Sequence, residues 1–468
     1  MRKRRILLFG LIFCLCAFCF SALSVPVQAA GFETGIDTHS ESYLLINLDT
    51  GVVVSEKEPD KKMEPASITK IMTYIVAYEQ IKDVEGTVIT IPQAVEDDLL
   101  GTGSSMSGIM VGEQLTALQL LNMMMVPSGN DAALAFAYYL GDGDPQKFID
   151  LMNEKATELG CENTHFTNPH GLHDENHYTT ARDLAVIAQY AMNLPYFSEI
   201  TDQVTYTLPA TNLSEARTVY TTNRMLDQNA DGGEYYYPYT KGIKTGSHDQ
   251  AGYCLVSTAV QGGYSYLCVA LGAPSVDADG NSISTHGEMV DSKALYQWAF
   301  ENLELKTLVK TGEAKGEVKV KFAWNTDSML VAAEEGFSAI MPSSVESSSI
   351  IYSVDLPESI DAPVKKGEVV GTLTMKYADQ TLAKVNLIAT ESVERSELLH
   401  TLDIGRDILS SNWFVSIIAI VIFLLLIYVL LALIYNRKKK RMRSSKKYHE
   451  EHSSGTRKGD RPRGRGGN

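Results

Sequence analysis

The chain is 468 residues long, room enough for two or three domains and a sizeable core. Its formal net charge of −16 is unevenly spread: Arg2 to Arg5 and Arg437 to Arg465 hold 17 of the 41 Lys and Arg but only three of the 57 Asp and Glu. The middle therefore keeps 24 basic against 54 acidic residues, close to −30, which excludes nucleic acid and anionic lipid as partners of the main body because both are polyanions.

The first thirty residues read as a secretory signal peptide. A basic start (Met1 to Arg5) precedes an apolar stretch (Ile6 to Leu23), the breaker Pro26 and small residues at Val27-Gln28-Ala29. A retained N-terminal membrane helix is the competing reading. Three of the six cysteines (Cys14, Cys16 and Cys19) lie in that stretch, leaving Cys161, Cys254 and Cys268. An exported domain of this size needs no disulfide staples. If Gly262-Gly263 turns a hairpin, Cys254 and Cys268 point to opposite faces of the sheet, so buried free thiols are expected.

Next, Tyr43 to Val54 carries apolar runs on either side of Asp49-Thr50-Gly51, the pattern of two strands and a tight turn. Ile68, Ile71, Met72, Ile75 and Val76 then recur with helical spacing, placing a helix start at or just before Ser67. Further helices are predicted at about 115–126, 132–140, 145–159 and 181–194, delimited by Pro127, Gly129, Gly141, Gly160 and Pro195. Gly252 to Val260 and Tyr264 to Gly272 form a second predicted hairpin, and a helix over about 287–303 closes the unit. Strands at both ends of a helical block give one α/β domain over residues 33–303.

From Leu305 to Glu394 the alternation is that of strands, as in Val318-Lys319-Val320-Lys321, and predicts a small all-β domain over 305–394. A linker over 395–412 leads to an apolar run from Phe414 to Ile434, flanked by Trp413 and Tyr435 and long enough to cross a bilayer as a helix over 413–435. The basic stretch Asn436 to Arg441 orients it with residues 436–468 in the cytoplasm and the body outside. The tail from Arg443 is polar and is expected to be disordered.

Three short motifs carry chemistry. Ser67-Ile68-Thr69-Lys70 puts a hydroxyl and an amine three residues apart at a helix start, on one face, where a lysine of lowered pKa can take the serine proton. Ser128-Gly129-Asn130 lies between two apolar helices, where a loop can project a hydroxyl and an amide into a cleft. Lys244-Thr245-Gly246 precedes a predicted strand, at whose edge an extended peptide could pair. Each motif alone is common: Ser444 to Lys447, Ser410 to Asn412 and Lys310 to Gly312 repeat the same three spacings without a matching context. Together, in order and in one domain of an exported chain, they form the motif set of penicillin-binding proteins and class A β-lactamases.

The region from Gly35 to Leu303 resembles the low-molecular-mass penicillin-binding proteins that act as serine D-alanyl-D-alanine carboxypeptidases (peptidase family S11). Besides the motifs, Pro65 to Thr73, Ser128 to Ala133, Phe166 to Leu172 and Gly242 to Gly246 carry the likeness. The resemblance implies a β-lactamase/transpeptidase-like fold, an acyl-enzyme on Ser67, Lys70 as base and Ser128 as proton relay. It implies that Asn130 holds the substrate backbone, that Lys244 and Thr245 bind its free carboxylate beside Gly246, and that the N–H groups of Ser67 and Ser247 form the oxyanion hole. The substrate class is peptidoglycan stem peptides ending in D-Ala-D-Ala, β-lactam antibiotics are inhibitors, and no metal or organic cofactor is required. His165, His170, His173 and His177 cluster in a stretch that the family shares, Arg182 and Asp183 read as helix capping, and Arg217 and Asn223 line the cleft on resemblance alone. The alternatives are a β-lactamase, for which no Glu-x-x-Leu-Asn pattern lies between Ser128 and Lys244, and a membrane-bound penicillin sensor, for which the short tail supplies no signalling domain.

Overall fold

The computed structural model describes residues 31–453 except 278 and 379. The predicted signal peptide and the end of the tail lie outside the described residues. Strands β1 (Ser42–Asn47) and β2 (Val53–Lys57) pair antiparallel, and helix α1 (Lys70–Gln80) follows a 3-10 turn at Ala66–Thr69. A helical block comes next, interrupted by the short antiparallel pair β3 (Val88–Thr90) and β4 (Gln114–Thr116). Its helices are α2 (Gln93–Leu99), α3 (Ala117–Met125), α4 (Asn130–Leu140), α5 (Pro145–Glu158), α6 (Ala181–Met192) and α7 (Phe197–Thr201). Local chemistry sets their starts. Thr116 and Gln119 form a reciprocal capping box at α3, Asp144 caps α5 ahead of Pro145, and the Thr180 hydroxyl accepts from Asp183 N at α6.

A two-stranded arm, β5 (Thr205–Leu208) and β6 (Arg217–Tyr220), leads to β7 (Thr240–His248), β8 (Gly252–Gln261) and β9 (Tyr264–Ala273), and then to α8 (Gly287–Asn302). The main sheet has the order β2-β1-β9-β8-β7, so β7 is an edge strand. Side chains alternate across the sheet. Leu44, Ile46, Cys254, Val256, Leu267 and Val269 join the core of the helical block, whereas Tyr43, Leu45, Leu255, Tyr266 and Cys268 join a second cluster with Met289, Leu295, Tyr296 and Ala299 of α8. Both faces being covered explains why β8 and β9 are nearly continuous apolar runs. Cys161, Cys254 and Cys268 are free and buried, with Cys254 and Cys268 on opposite faces.

Helix α1 is the centre of the helical block, with every residue from Lys70 to Ala77 buried. A helix apolar on all sides belongs inside a fold, and its first residue is a lysine.

After Leu303 the chain is built of strands: β10 (Leu303–Val309), β11 (Ala314–Lys321), β12 (Ser328–Ala333), β13 (Phe337–Pro342), β14 (Ile351–Asp355), β15 (Ser359–Asp361), β16 (Val369–Tyr377) and β17 (Gln380–Ala389). The chain divides into two compact units. One takes in the chain to Glu313 with Ala333–Asp355 and Thr372–Val385, and includes the pairs β10–β13 and β14–β16. The other takes in Ala314–Ala332, Leu356–Gly371 and the chain from Asn386, with β11 antiparallel to β12 and parallel to β15.

The linker predicted over 395–412 contains α9 (Glu397–Ser410), whose first turn Ser396 caps by accepting from Leu399 N. One expectation changes at this end. Helix α10 (Asn412–Ser453) continues past the apolar run, so the tail expected to be disordered starts as helix and is described as such to Ser453. Within α10, Asn412–Met442 is long and apolar enough to cross a membrane, and its side chains are not covered by the rest of the protein.

Candidate active site

The 3-10 turn at Ala66–Thr69 presents Ser67, and the first turn of α1 presents Lys70 directly behind it. The Lys70 ammonium is fully buried and has three oxygens around it: Ser67 Oγ at 2.9 Å, Asn130 Oδ1 at 2.6 Å and the His170 carbonyl at 3.0 Å. Burial first, then the charge of Lys244, holds its pKa well below the usual lysine range, against an opposing pull from Asp131. The partner set fixes what the neutral form does. Two of the three oxygens are carbonyls and only accept, so the two N–H bonds of a neutral amine go to them and its lone pair is left facing the one partner able to donate, the Ser67 hydroxyl. That is the geometry of a base against a nucleophile.

Residues 163–179 buttress this pair. Gly171, at φ +88°, lies so close that a Cβ there would fall 1.8 Å from Ala66 O and 2.8 Å from Thr69 Oγ1. The Thr69 hydroxyl donates to Ala66 O at 2.8 Å and sits 2.7 Å from His177 Nε2. Thr167 N donates to His177 Nδ1 at 3.0 Å, which assigns the His177 proton to Nε2 and its hydrogen bond to Thr69. Burial pushes His177 down to about 3, and burial with the Lys70 charge does the same to His170, so both rings stay neutral. Two of the clustered histidines serve as struts: His170 through its carbonyl, His177 through its ring.

Ser128 and Asn130 arrive from the other side. Ser128 is buried at φ +63°, a left-handed conformation that costs a non-glycine residue roughly 1–3 kcal/mol. Asp131 holds the segment in place: its Oδ1 accepts from Ser107 N, Ser107 Oγ and Ala132 N, and its Oδ2 accepts from Gly108 N. Asn130 is the first residue of α4 and its amide oxygen faces Lys70, a contact that the motif alone did not reveal.

Lys244, Thr245, Gly246 and Ser247 lie within β7 itself rather than ahead of a strand. The glycines in Lys241-Gly242-Ile243-Lys244-Thr245-Gly246 hide the strand pattern, which pairing with β8 enforces. A Cβ at Gly246 would come within 2.7 Å of Pro65 O and 3.0 Å of Ser67 N, so the edge strand runs against the nucleophile turn. Lys244 is 1% exposed, donates to Thr245 O at 2.9 Å, and has no carboxylate in an ion pair among the described residues. Burial lowers its pKa to about 7. An ammonium so placed is short of an anion.

Arg217 pairs with the buried Glu113 through two contacts of 2.8 and 2.9 Å. Asn223 is buried and donates to Gly242 O at 2.9 Å. Arg182 pairs with Asp60 and Glu56, while Asp183 accepts from Asn163 N and Thr164 Oγ1. Among the described residues no cluster of His, Cys, Asp and Glu could hold a metal ion.

Replacing Gly171 with Ala should cost roughly 3 kcal/mol or more of stability, since both the backbone angle and the space exclude a methyl group. Thermal unfolding would show it, and acylation by a labelled penicillin should slow in the same variant because Lys70 loses the alignment of the His170 carbonyl.

The arrangement has counterparts in known proteins. Residues 27–275 match the D-alanyl-D-alanine carboxypeptidase family S11, and residues 303–395 match the C-terminal domain of penicillin-binding protein 5. The chain is 30% identical to the D-alanyl-D-alanine carboxypeptidase DacC of Escherichia coli over 80% of this chain and 90% of that protein. It is 29% identical to DacF of Bacillus subtilis over 76% and 86%. Penicillin-binding protein 5 of Haemophilus influenzae, 27% identical, superposes with a TM-score of 0.60 over 77% of this chain and 99% of that one. A buried amine facing a serine hydroxyl, a second serine and an unpaired cation on a sheet edge thus coincide with a match over more than half the sequence, and the chain belongs to the S11 family of serine D-alanyl-D-alanine carboxypeptidases, the low-molecular-mass penicillin-binding proteins.

Proposed function

We propose that Ser67 attacks the carbonyl between the two terminal D-alanines of a peptidoglycan stem, with neutral Lys70 taking the hydroxyl proton. The chain is a serine-type D-Ala-D-Ala carboxypeptidase acting on stem peptides. The observation that carries the proposal is the elimination at Lys70: with Asn130 Oδ1 and His170 O as pure acceptors, the amine lone pair has only Ser67 to face.

In the proposed sequence the Oγ–C bond forms and the carbonyl oxygen becomes an oxyanion, which accepts hydrogen bonds from the N–H groups of Ser67 and Ser247. Such a donor is worth about 3–4 kcal/mol in comparable enzymes. The C–N bond then breaks. Ser128 gives its proton to the leaving D-alanine amine and takes one back from Lys70, which is neutral again. Lys70 then takes a proton from water as the water oxygen bonds to the acyl carbon, and the Oγ–C bond breaks as that proton returns to Ser67 Oγ, releasing the shortened stem. The free carboxylate of the substrate sits on Lys244 and Thr245, Gly246 lets the edge strand approach, and Asn130 orients the substrate backbone. A β-lactam presents a carboxylate and a strained amide to the same groups, and its acyl-enzyme has no separate amine to lose.

The long apolar helix suggests a single membrane-spanning segment. In our reading the signal peptide at 1–30 is removed, residues 33–303 form the catalytic domain and 305–394 a β domain outside the cell, and the basic residues after Tyr435 stay in the cytoplasm. Protease added to wall-free intact cells should digest epitopes before Ser411 and spare one placed after Arg441; the reverse pattern would contradict that orientation.

Purified full-length protein should release D-alanine from a pentapeptide ending in D-Ala-D-Ala and retain labelled penicillin on the peptide containing Ser67. Ser67→Ala should do neither, and equal release by both proteins would count against the mechanism.

The pH dependence has a definite sign. Lowering of the Lys70 pKa makes the base available below the usual lysine range, so the rate rises with pH through that value. Lys244 attracts the carboxylate only while charged, and in the free enzyme loses its proton near 7, so kcat/KM should fall on the alkaline side. Lys244→Arg, charged at every working pH, should move that alkaline limb upward; an unmoved limb assigns it to another group.

A further inference from the structure

The end of the site formed by Lys244 and Thr245 has a second hydroxyl that none of the three motifs contains. Thr222 lies two residues past β6, and its Oγ1 is 2.5 Å from Thr245 Oγ1. Its neighbour holds it there. Asn223 is 2% exposed, donates through Nδ2 to Gly242 O at 2.9 Å, accepts at Oδ1 from Met225 N at 3.1 Å, and donates from its own N–H to Thr221 Oγ1 at 3.1 Å. The segment carrying Thr222 is thereby tied to the same strand that carries Lys244 and Thr245.

Thr222 is exposed and Thr245 half-buried, so the pair opens to solvent. A hydrogen bond between two solvent-facing hydroxyls contributes little to stability, because water replaces it at nearly equal energy. Its geometry does supply something else. Each hydroxyl has one proton; one of the two is used between them and the other is free, so a carboxylate that displaces the mutual bond can accept a hydrogen bond from each. Beside them, Lys244 is a buried cation without an ion-pair partner among the described residues. One charge and two adjacent hydroxyl donors make a receptor for both oxygens of a carboxylate.

We propose that Thr222 is a positioning residue of this subsite: it exchanges its bond with Thr245 for one to the terminal carboxylate of the substrate, so that Thr222 and Thr245 each hold one oxygen. The inference rests on the reading of Lys244 and Thr245 as the carboxylate site. It makes a free C-terminal carboxylate, rather than D-alanine side-chain shape alone, the feature read at this end of the cleft.

Full-length Thr222→Val and Thr222→Ser proteins, assayed by D-alanine release, test it. The valine variant should raise KM for the pentapeptide about 10-fold, the loss of one hydrogen bond to a charged group, with kcat within about twofold of wild type. Serine should restore KM, and the thermal midpoint of both variants should match wild type. An unchanged KM, a loss confined to kcat, or a defect that serine fails to reverse overturns the inference. A wild-type protein that releases no D-alanine overturns the underlying reading of the site instead.

Discussion

Everything in the site turns on one desolvated amine. Lys70 opens a helix whose residues are buried through Ala77, so its charge is stripped of solvent and offset only in part by Asp131, and the three oxygens around it decide where its protons and lone pair lie. A cationic amine uses all three as acceptors. A neutral amine uses two and turns its lone pair to the third, so loss of one proton converts a structural contact into a reactive one.

The surroundings make sense as the means of keeping that amine dry and aimed. The loop through Gly171 closes one side, Asp131 fixes the segment that brings Asn130, and β7 runs along the Ser67 turn at the distance that only glycine at 246 permits. Two non-glycine residues beside the reacting groups, Ala66 at φ +47° and Ser128 at φ +63°, sit in left-handed conformations. Such strain is retained where the surrounding structure over-determines the backbone, as the contacts of Thr69, His177 and Asp131 do here.

Much of this was legible in the amino-acid order, for a physical reason. The long helices and the β8–β9 hairpin carry strong periodicity because each buries a face, and the serine and lysine three residues apart must share one side of a turn. What escaped was short, exposed or glycine-broken: β5 and β6, the small pair β3 and β4, and β7, whose strand character comes from its neighbour rather than its composition. The linker before the membrane segment carries a helix whose start is marked by one capping serine. The role of the histidines was also hidden. His177 acts through a ring tautomer set by Thr167 N, and His170 through a backbone carbonyl that any residue could provide, so neither side chain announces its part.

The outermost position of β7 in its sheet has a wider meaning. A ribbon margin with unclaimed amides and carbonyls selects for trajectory: a ligand must lie flat and straight along it before any side chain is consulted. An edge of that kind would favour a peptide able to lie extended along it over one held bent.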